Sequence, residues 1–415
     1  MRILRLRAYF SPEKTSGLHL DNDLNEALAK SNITCVNYTP IPTRGVSRET
    51  TAKYRTLKTE VLYNGKFVVN RFAMFREGSN ALQRAFRYFC CNIVEYFLGT
   101  TEKEIDLVYS SSTPPTQGML SALVAKKLSK KYKRKVPFIY NLQDIFPDSL
   151  VSTGLAKKGS VLWKIGRKIE DYTYQNADKI IVISEGFKNN IMAKGVPEEK
   201  IEVISNWIDL DSVHPVGREE NKLLSEFSIA PTKFLVVYAG NFGASQGADI
   251  ILKAAEKLRD QRDIQFIIFG GGAYFEDAKR TAETMDNVFS HELLSADRVS
   301  EVYSLGDVAL ITCKPGTGNA GMPSKTWSIM ACNTPIIASF DTNSDLADVI
   351  RDAGAGKCVE PGDVGALARA IGERYQSWKF GDKAKINLRD YVKEYASKKK
   401  CVKRYIDLFA NTSDS

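Results

Sequence analysis

Histidine is nearly absent from this chain. Only three occur among 415 residues, His19, His214 and His291, and no two stand at metal-ligand spacing, so a histidine-built metal site is not expected. The seven cysteines are odd in number and form no C-x-x-C pair, which excludes a disulfide framework and a zinc ribbon and reads as reduced thiols of a cytosolic protein. No stretch approaches the ~18 uninterrupted apolar residues of a membrane-spanning helix. Residues 1–10 are arginine-rich but short, and the charged Glu13 and Lys14 follow at once, unlike a secretory leader. These gaps point to a soluble cytoplasmic chain.

What is present is ordinary for a globular enzyme, with 43% apolar and 26% charged residues. A chain of 415 residues exceeds the ~100–200 residues of one core, so two domains are expected. The charge is uneven. Residues 1–210 carry a net +11, residues 211–374 a net −7 and residues 375–415 a net +5, which together make the overall +9. A basic first domain suits phosphates, an anionic membrane or nucleic acid, and solubility is the plain alternative.

The order of elements repeats. Strand patterns at residues 3–10, 33–38, 107–110, 138–142, 180–183 and 201–204 alternate with helical patterns at 18–29, 119–128, 161–175 and 185–193. The alternation restarts with strands at 234–238, 265–269, 308–311 and 335–338 and a helix at 248–258. Alternating strands and helices predict mostly parallel sheets covered on both faces. The boundaries expected are 1–210 and 211–381, with a basic terminal helix over 382–409 whose charge matches the first domain.

Open parallel sheets bind ligands at the carboxyl ends of their strands, so the loops there carry the candidate site. Gly17 ends the first strand–helix turn and leaves backbone N–H groups approachable. Gly240, Asn241, Gly243, Gln246 and Gly247 form a glycine-rich strand-to-helix turn, an anion cradle that lacks the Gly-Lys-Ser/Thr ending of a P-loop. In Met322-Pro323-Ser324-Lys325-Thr326, Pro323 suits a helix start and Ser324 can cap its N–H groups. Lys325 would then stand in the first turn, where a cation is unfavourable unless an anion is bound. Asp144 and Asp148, in an aromatic and proline-braced turn after the 138–142 strand, are the acid/base or hydroxyl-binding candidates, with helix capping the plain alternative for Asp148.

Two further stretches bear on membranes. Leu82, Phe86, Phe89, Ile93 and Phe97 share one helical face, with Arg84 and Arg87 elsewhere. Residues 126–135 hold seven basic side chains. An apolar stripe is more often core than surface, yet together with the basic domain these features fit in-plane membrane contact. Nucleic acid is not expected as a partner, since the basic run has Tyr132 as its single aromatic and no recognition module follows.

The segments YFSPEKTSG, DIFPDS, VISNWID, YAGNFGASQG, IIFGGG and MPSKTWSIMACNTPIIAS resemble those of the family-4 retaining glycosyltransferases, in the branch that builds capsule and exopolysaccharide repeats. The resemblance implies the GT-B fold, two facing Rossmann-like parallel-sheet domains with an inter-domain cleft. It implies that Gly240, Asn241, Gln246, Ser324 and Lys325 meet the diphosphate of a nucleotide sugar. The base would lie near Gly270 and residues 291–294, and the acceptor near Gly17 and Asp144. The implied acceptor is a lipid-linked saccharide on the inner face of the plasma membrane, and no metal or other cofactor is implied. Many relatives carry two glutamates eight positions apart, where Ala320 and Ser328 stand here; Ser328 can still hydrogen-bond a ribose hydroxyl. That departure leaves two alternatives open, a UDP-sugar epimerase on the same scaffold and an inactive nucleotide-sugar-binding partner.

Overall fold

The structure, a computed structural model, describes all residues except 14–16, 79, 153, 155, 319–320, 382–386 and 414–415. The chain divides into two compact units, one of Met1–Ser205 with Cys401–Ser415 and one of Asn206–Lys400.

The first unit is built on an eight-stranded sheet. Its strands are β1 (Arg2–Leu6), β2 (Thr34–Pro40), β3 (Thr59–Leu62), β4 (Phe67–Phe72), β5 (Leu107–Ser111), β6 (Phe138–Leu142), β7 (Lys179–Val182) and β8 (Ile201–Val203). They lie in the order β3-β4-β2-β1-β5-β6-β7-β8. All neighbours are parallel except β3, which runs antiparallel to β4. The chain starts at the centre with β1, builds outward to β4 and returns to β5 on the other side. The strand order therefore reverses between β1 and β5, the place where such sheets open for ligands. The helices used below are α1 (Leu18–Lys30), α2 (Arg48–Thr56), α3 (Ala81–Thr101) and α4 (Gln117–Tyr132).

The second unit repeats the plan with six parallel strands, β9 (Phe234–Asn241), β10 (Ile264–Gly271), β11 (Val288–Glu292), β12 (Val308–Thr312), β13 (Ile336–Ser339) and β14 (Gly356–Val359). Their order is β11-β10-β9-β12-β13-β14. The strands are continuous runs of buried apolar residues, as Phe234–Tyr238 and Val308–Ile311 show, because helices cover both faces of a parallel sheet. Strands β9 and β12 pair only through Val236–Val308 and Val237–Ala309. Beyond those pairs they part, and a crevice opens at their carboxyl ends.

Several expectations change. The first strand stops at Leu6 rather than at residue 10, and Ala8–Phe10 are buried outside it. The unit boundary falls after Ser205 rather than 210. The single terminal helix expected over 382–409 is two helices, Leu388–Tyr395 and Lys398–Ser413. The earlier one stays with the second unit, where Leu388 and Val392 are buried in its core. Only the later one joins the first unit, with Phe409 packed on Tyr109 at 5.0 Å between ring centroids.

Arg389 fastens that earlier helix. Its guanidinium donates to the carbonyls of Val213 at 2.7 Å and Ala331 at 3.0 Å, and also to that of Leu210. Three carbonyls would lose a charged donor in Arg389→Ala, so the variant should lose about 3 kcal/mol of stability. Denaturant unfolding checks this, and a midpoint equal to the parent's would show that Arg389 has no anchoring role.

Candidate active site

The crevice at the carboxyl ends of β9 and β12 holds a cavity of about 300 Å³, lined by residues that include Asn241, Gln246, Thr312, Ser324, Lys325 and Phe340. Four predicted donor-site residues thus meet in one place. The Lys325 ammonium lies 4.2 Å from the centroid of the Tyr238 ring. That ring is fixed from its far end, where the hydroxyl donates to the Asn241 carbonyl at 3.0 Å. Gly240 makes the arrangement possible. A Cβ there would stand 2.5 Å from Lys325 Nζ and 3.3 Å from the Tyr238 hydroxyl, so only glycine lets the ammonium come down onto the strand.

The electrostatics of Lys325 follow from this packing. The aromatic face offers a weak cation site, but no neighbouring charge contributes, and burial alone pushes the ammonium down to about 8. A desolvated cation with no carboxylate beside it, at the start of the helix Lys325–Ala331, is arranged to receive an anion. Ser324 does not cap that helix, contrary to expectation. It is itself helical, at φ −59° and ψ −29°, and forms no side-chain cap bond. The hydroxyl of this exposed residue therefore remains available at the cavity wall.

The amides of Asn241 and Gln246 are held in the same loop, Asn241 Nδ2 donating to Gln246 Oε1 at 3.3 Å. Glycines crowd them closely: a Cβ on Gly272 would fall 1.9 Å from Asn241 Oδ1. Ser328 lies one turn further into the helix and is buried, behind the lining residues. Ala320 lies outside the described residues. At Gly270 the space beside the Cα is filled by Phe275, 2.2 Å from where a Cβ would stand. Gly270 remains tied to the expected base region, because Leu293 N donates to its carbonyl at 2.9 Å. His291 packs against Phe227 at 4.1 Å between ring centroids, and burial lowers its pKa.

In the first unit, Ser112 Oγ accepts from the backbone N–H groups of Gln143 at 3.0 Å and Asp144 at 3.2 Å. It thereby sets the turn after β6. Asp144 is open to solvent at its edge, yet crowding of its carboxyl raises its pKa, opposed by a hydrogen bond with Ser149. Asp148 is engaged elsewhere. Lys194 pairs with it at 2.8 Å and with the buried Glu170 at 2.8 Å, and Asn190 donates to it at 3.2 Å. Asp148 therefore holds the turn to the helix Glu185–Ala193 rather than standing free. Gly17, at φ 77°, opens α1 without a side-chain cap, and residues 14–16 beside it lie outside the described residues.

The basic run at 126–135 also has structural duties. Lys131 Nζ donates to the carbonyls of Thr100, Thr101 and Glu102 at the end of α3, while Arg134 pairs with Asp106 and Lys135 with Asp178. These contacts lie where β5, β6 and β7 begin, at the edge opposite the ligand end. The α3 stripe, by contrast, is not core: Leu82, Phe86, Phe89, Ile93 and Phe97 are 44–79% exposed. Reading the sequence missed Tyr238, hidden in an apolar strand, and Ser112, whose role depends on a neighbouring strand.

Comparison with known proteins gives the family and the fold class. Residues 23–212 match the family described as Glycosyltransferase Family 4, and residues 233–377 match Glycosyl transferases group 1. Among curated relatives, the probable glycosyltransferase WbjE of Pseudomonas aeruginosa is 28% identical over 65% of this chain. The putative colanic acid biosynthesis glycosyl transferase WcaI of Escherichia coli is 26% identical, also over 65% of the chain. The match spans just under two thirds of either relative, 66%. Sucrose-phosphate synthase from Thermosynechococcus elongatus superposes with a TM-score of 0.74 at 16% identity, over 99% of this chain and 98% of that one. Anabaena HepE in complex with UDP-glucose does so with a TM-score of 0.67 at 15% identity, over 99% and 100%. These neighbours place the fold in the GT-B class.

The packing at Lys325 makes one quantity directly measurable. Its side-chain amine should titrate near 8 in the unliganded protein, followed by NMR of lysine-labelled protein with Lys325→Arg to assign the signal. An ordinary lysine value near ~10.4 would refute the desolvated geometry.

Proposed function

This chain is a glycosyltransferase of the family-4, GT-B type, and we propose that it moves a hexose or N-acetylhexosamine from a UDP-sugar to a lipid-linked oligosaccharide, with retention, during polysaccharide assembly. The observation that carries this reading is the unneutralised Lys325 ammonium at the mouth of a cavity formed by strand-end loops. The choice of UDP is supported by the bound UDP-glucose of the HepE structure, and the pathway class by the name of WcaI.

The chemistry follows from charge. Breaking the bond between sugar and diphosphate leaves negative charge on the departing phosphate. Lys325, the first-turn N–H groups of its helix and the Ser324 hydroxyl would meet that charge as it develops, in a site too crowded to need reorganisation. The amides of Asn241 and Gln246 would orient the diphosphate. With these donors in place, transfer requires no metal ion and should persist in a chelator. In the first unit, Asp144 is the carboxylate we assign to the acceptor hydroxyl, and its raised pKa favours proton uptake.

An acceptor held at a membrane is supported by α3, whose apolar residues are exposed in a unit of basic sequence. Among the described residues no helix is long and apolar enough to cross a membrane, so the contact we propose is in-plane, at the cytoplasmic face.

Three measurements test this. UDP-sugars, unlike GDP-, ADP- or TDP-sugars, should stabilise the protein, by ~2.7 kcal/mol at 100 times the dissociation constant. Lys325→Ala should lower kcat ~100-fold or more, and unchanged turnover would remove Lys325 from the mechanism. The affinity for UDP should also fall as pH rises through about 8. The free protein loses its ammonium proton there, while the anion-bound form retains it, so binding is strongest below that pH.

A further inference from the structure

A second cavity lies in the first unit, and none of the candidate donor or acceptor residues lines it. It measures about 960 Å³, near the upper end of the ~300–1,000 Å³ of ligand pockets. It sits at the carboxyl ends of β2 and β4, where Pro40 and Phe72 are register partners. Its lining includes Arg48, Arg55, Lys58, Arg71 and Arg76 and no acidic residue. Arg48, Thr51 and Arg55 stand at i, i+3 and i+7 of α2 and so share one face.

Arg71 is the built part of the site. Its side chain is fully buried, yet Nη1 has no hydrogen-bond partner. Its other nitrogens are satisfied by Glu60, at 2.9 and 2.6 Å, and by the Ser11 carbonyl at 2.5 Å. Glu60 offsets Arg71 alone. Among the described residues the other four cations have no carboxylate within ion-pair distance. A deep concave surface of this kind is matched to a polyanion.

The pocket wall continues into an apolar surface. Phe75, which lines the pocket, stacks on Phe86 at 5.8 Å and 24°, and Phe86 belongs to the exposed face of α3. The buried Arg87, on the inner side of the same helix, donates to the Phe75 carbonyl at 3.1 Å and ties the two surfaces together. A cationic pocket that merges with an apolar face fits an amphiphile whose head is a diphosphate and whose tail is a hydrocarbon.

We propose that this pocket binds the diphosphate of a polyprenyl-type lipid carrier while α3 rests on its bilayer. Naming that lipid as the acceptor rests on the transfer reading above; binding in the pocket does not.

The test uses the full chain and sedimentation with phosphatidylcholine vesicles. One set is doped with geranylgeranyl diphosphate, and another is matched in charge with phosphatidylglycerol. Soluble inorganic diphosphate is titrated separately with UDP present to fill the donor cavity. Tight binding to the diphosphate vesicles, weaker binding to the phosphatidylglycerol vesicles and weaker binding still to inorganic diphosphate are expected. The triple variant Arg48→Gln, Arg55→Gln, Lys58→Gln should bind the diphosphate vesicles roughly 100-fold more weakly. Its thermal shift with UDP-sugar should be preserved, which separates this proposal from the donor assignment and shows that the variant folds. Phe86→Ser with Phe89→Ser should lose the vesicles but keep inorganic diphosphate. Equal binding to both vesicle types would leave only surface charge, and an unaffected triple variant would exclude the pocket. Inorganic diphosphate bound as tightly as the vesicles would remove the lipid.

Discussion

A single desolvated ammonium organises the second unit. Lys325 rests on the Tyr238 ring, and every neighbour of that contact is constrained by it. Gly240 must lack a side chain to leave the space. Tyr238 must be held by its hydroxyl, and β9 must part from β12 after two residue pairs for the crevice to exist. A half-buried cation with no counter-ion among the described residues opposes folding while it is charged. Between pH 8 and the ordinary lysine value the unfolded chain holds that proton and the folded chain does not, so its cost is relieved as pH rises. Proteins retain such arrangements where the missing charge arrives with a ligand, and the adjoining helix start and amide-bearing loop are suited to the same anion.

The first unit meets a different physical demand. Its helix α3 is two-faced in an unusual sense: the inner side buries a complete arginine, Arg87, while the outer side exposes phenylalanines. The Nε–H of that arginine donates to the Phe75 carbonyl, which holds the segment after β4 against the helix, while its Nη1 and Nη2 have no hydrogen-bond partner. Exposed aromatic side chains in a row are costly in water, and their adjacency to unmatched cations gives the surface an amphiphilic character that neither feature has alone. Elsewhere the unit's charges are spent on architecture, as Lys131 at the end of α3 and Lys194 between Asp148 and Glu170 show.

The family-level fold was legible because parallel sheets announce themselves. Runs such as Phe234–Tyr238 and Val308–Ile311 have no polar alternation, and glycine-bearing turns follow them. The loops that line the cavity of the second unit were legible for a related reason: glycines and a lysine at a helix start are locally unfavourable without an anion. The ion pair of Asp148 could not be read from the sequence, because a carboxylate's freedom depends on Lys194, distant in the chain. Ser324 looked like a cap because residue type suggests capping, whereas its dihedrals are helical and its side chain makes no cap bond. The stripe on α3 could have been core or surface on periodicity alone, since the spacing of apolar residues reports that a helix has two faces without saying what covers the apolar one.

By itself, then, the sequence determined the succession of strands and helices, the division into two α/β units and the glycine-bearing loops at the strand ends, because these rest on contacts between near neighbours in the chain. Tertiary structure alone decided which charges remain unpaired. Lys325 is left without a partner over Tyr238, Asp148 is neutralised, and the basic side chains of α2 and the segment after β4 gather around one pocket. Each of these outcomes depends on groups far apart in sequence coming within a few ångströms, and Coulomb energies vary too steeply with distance and burial for residue order to fix them.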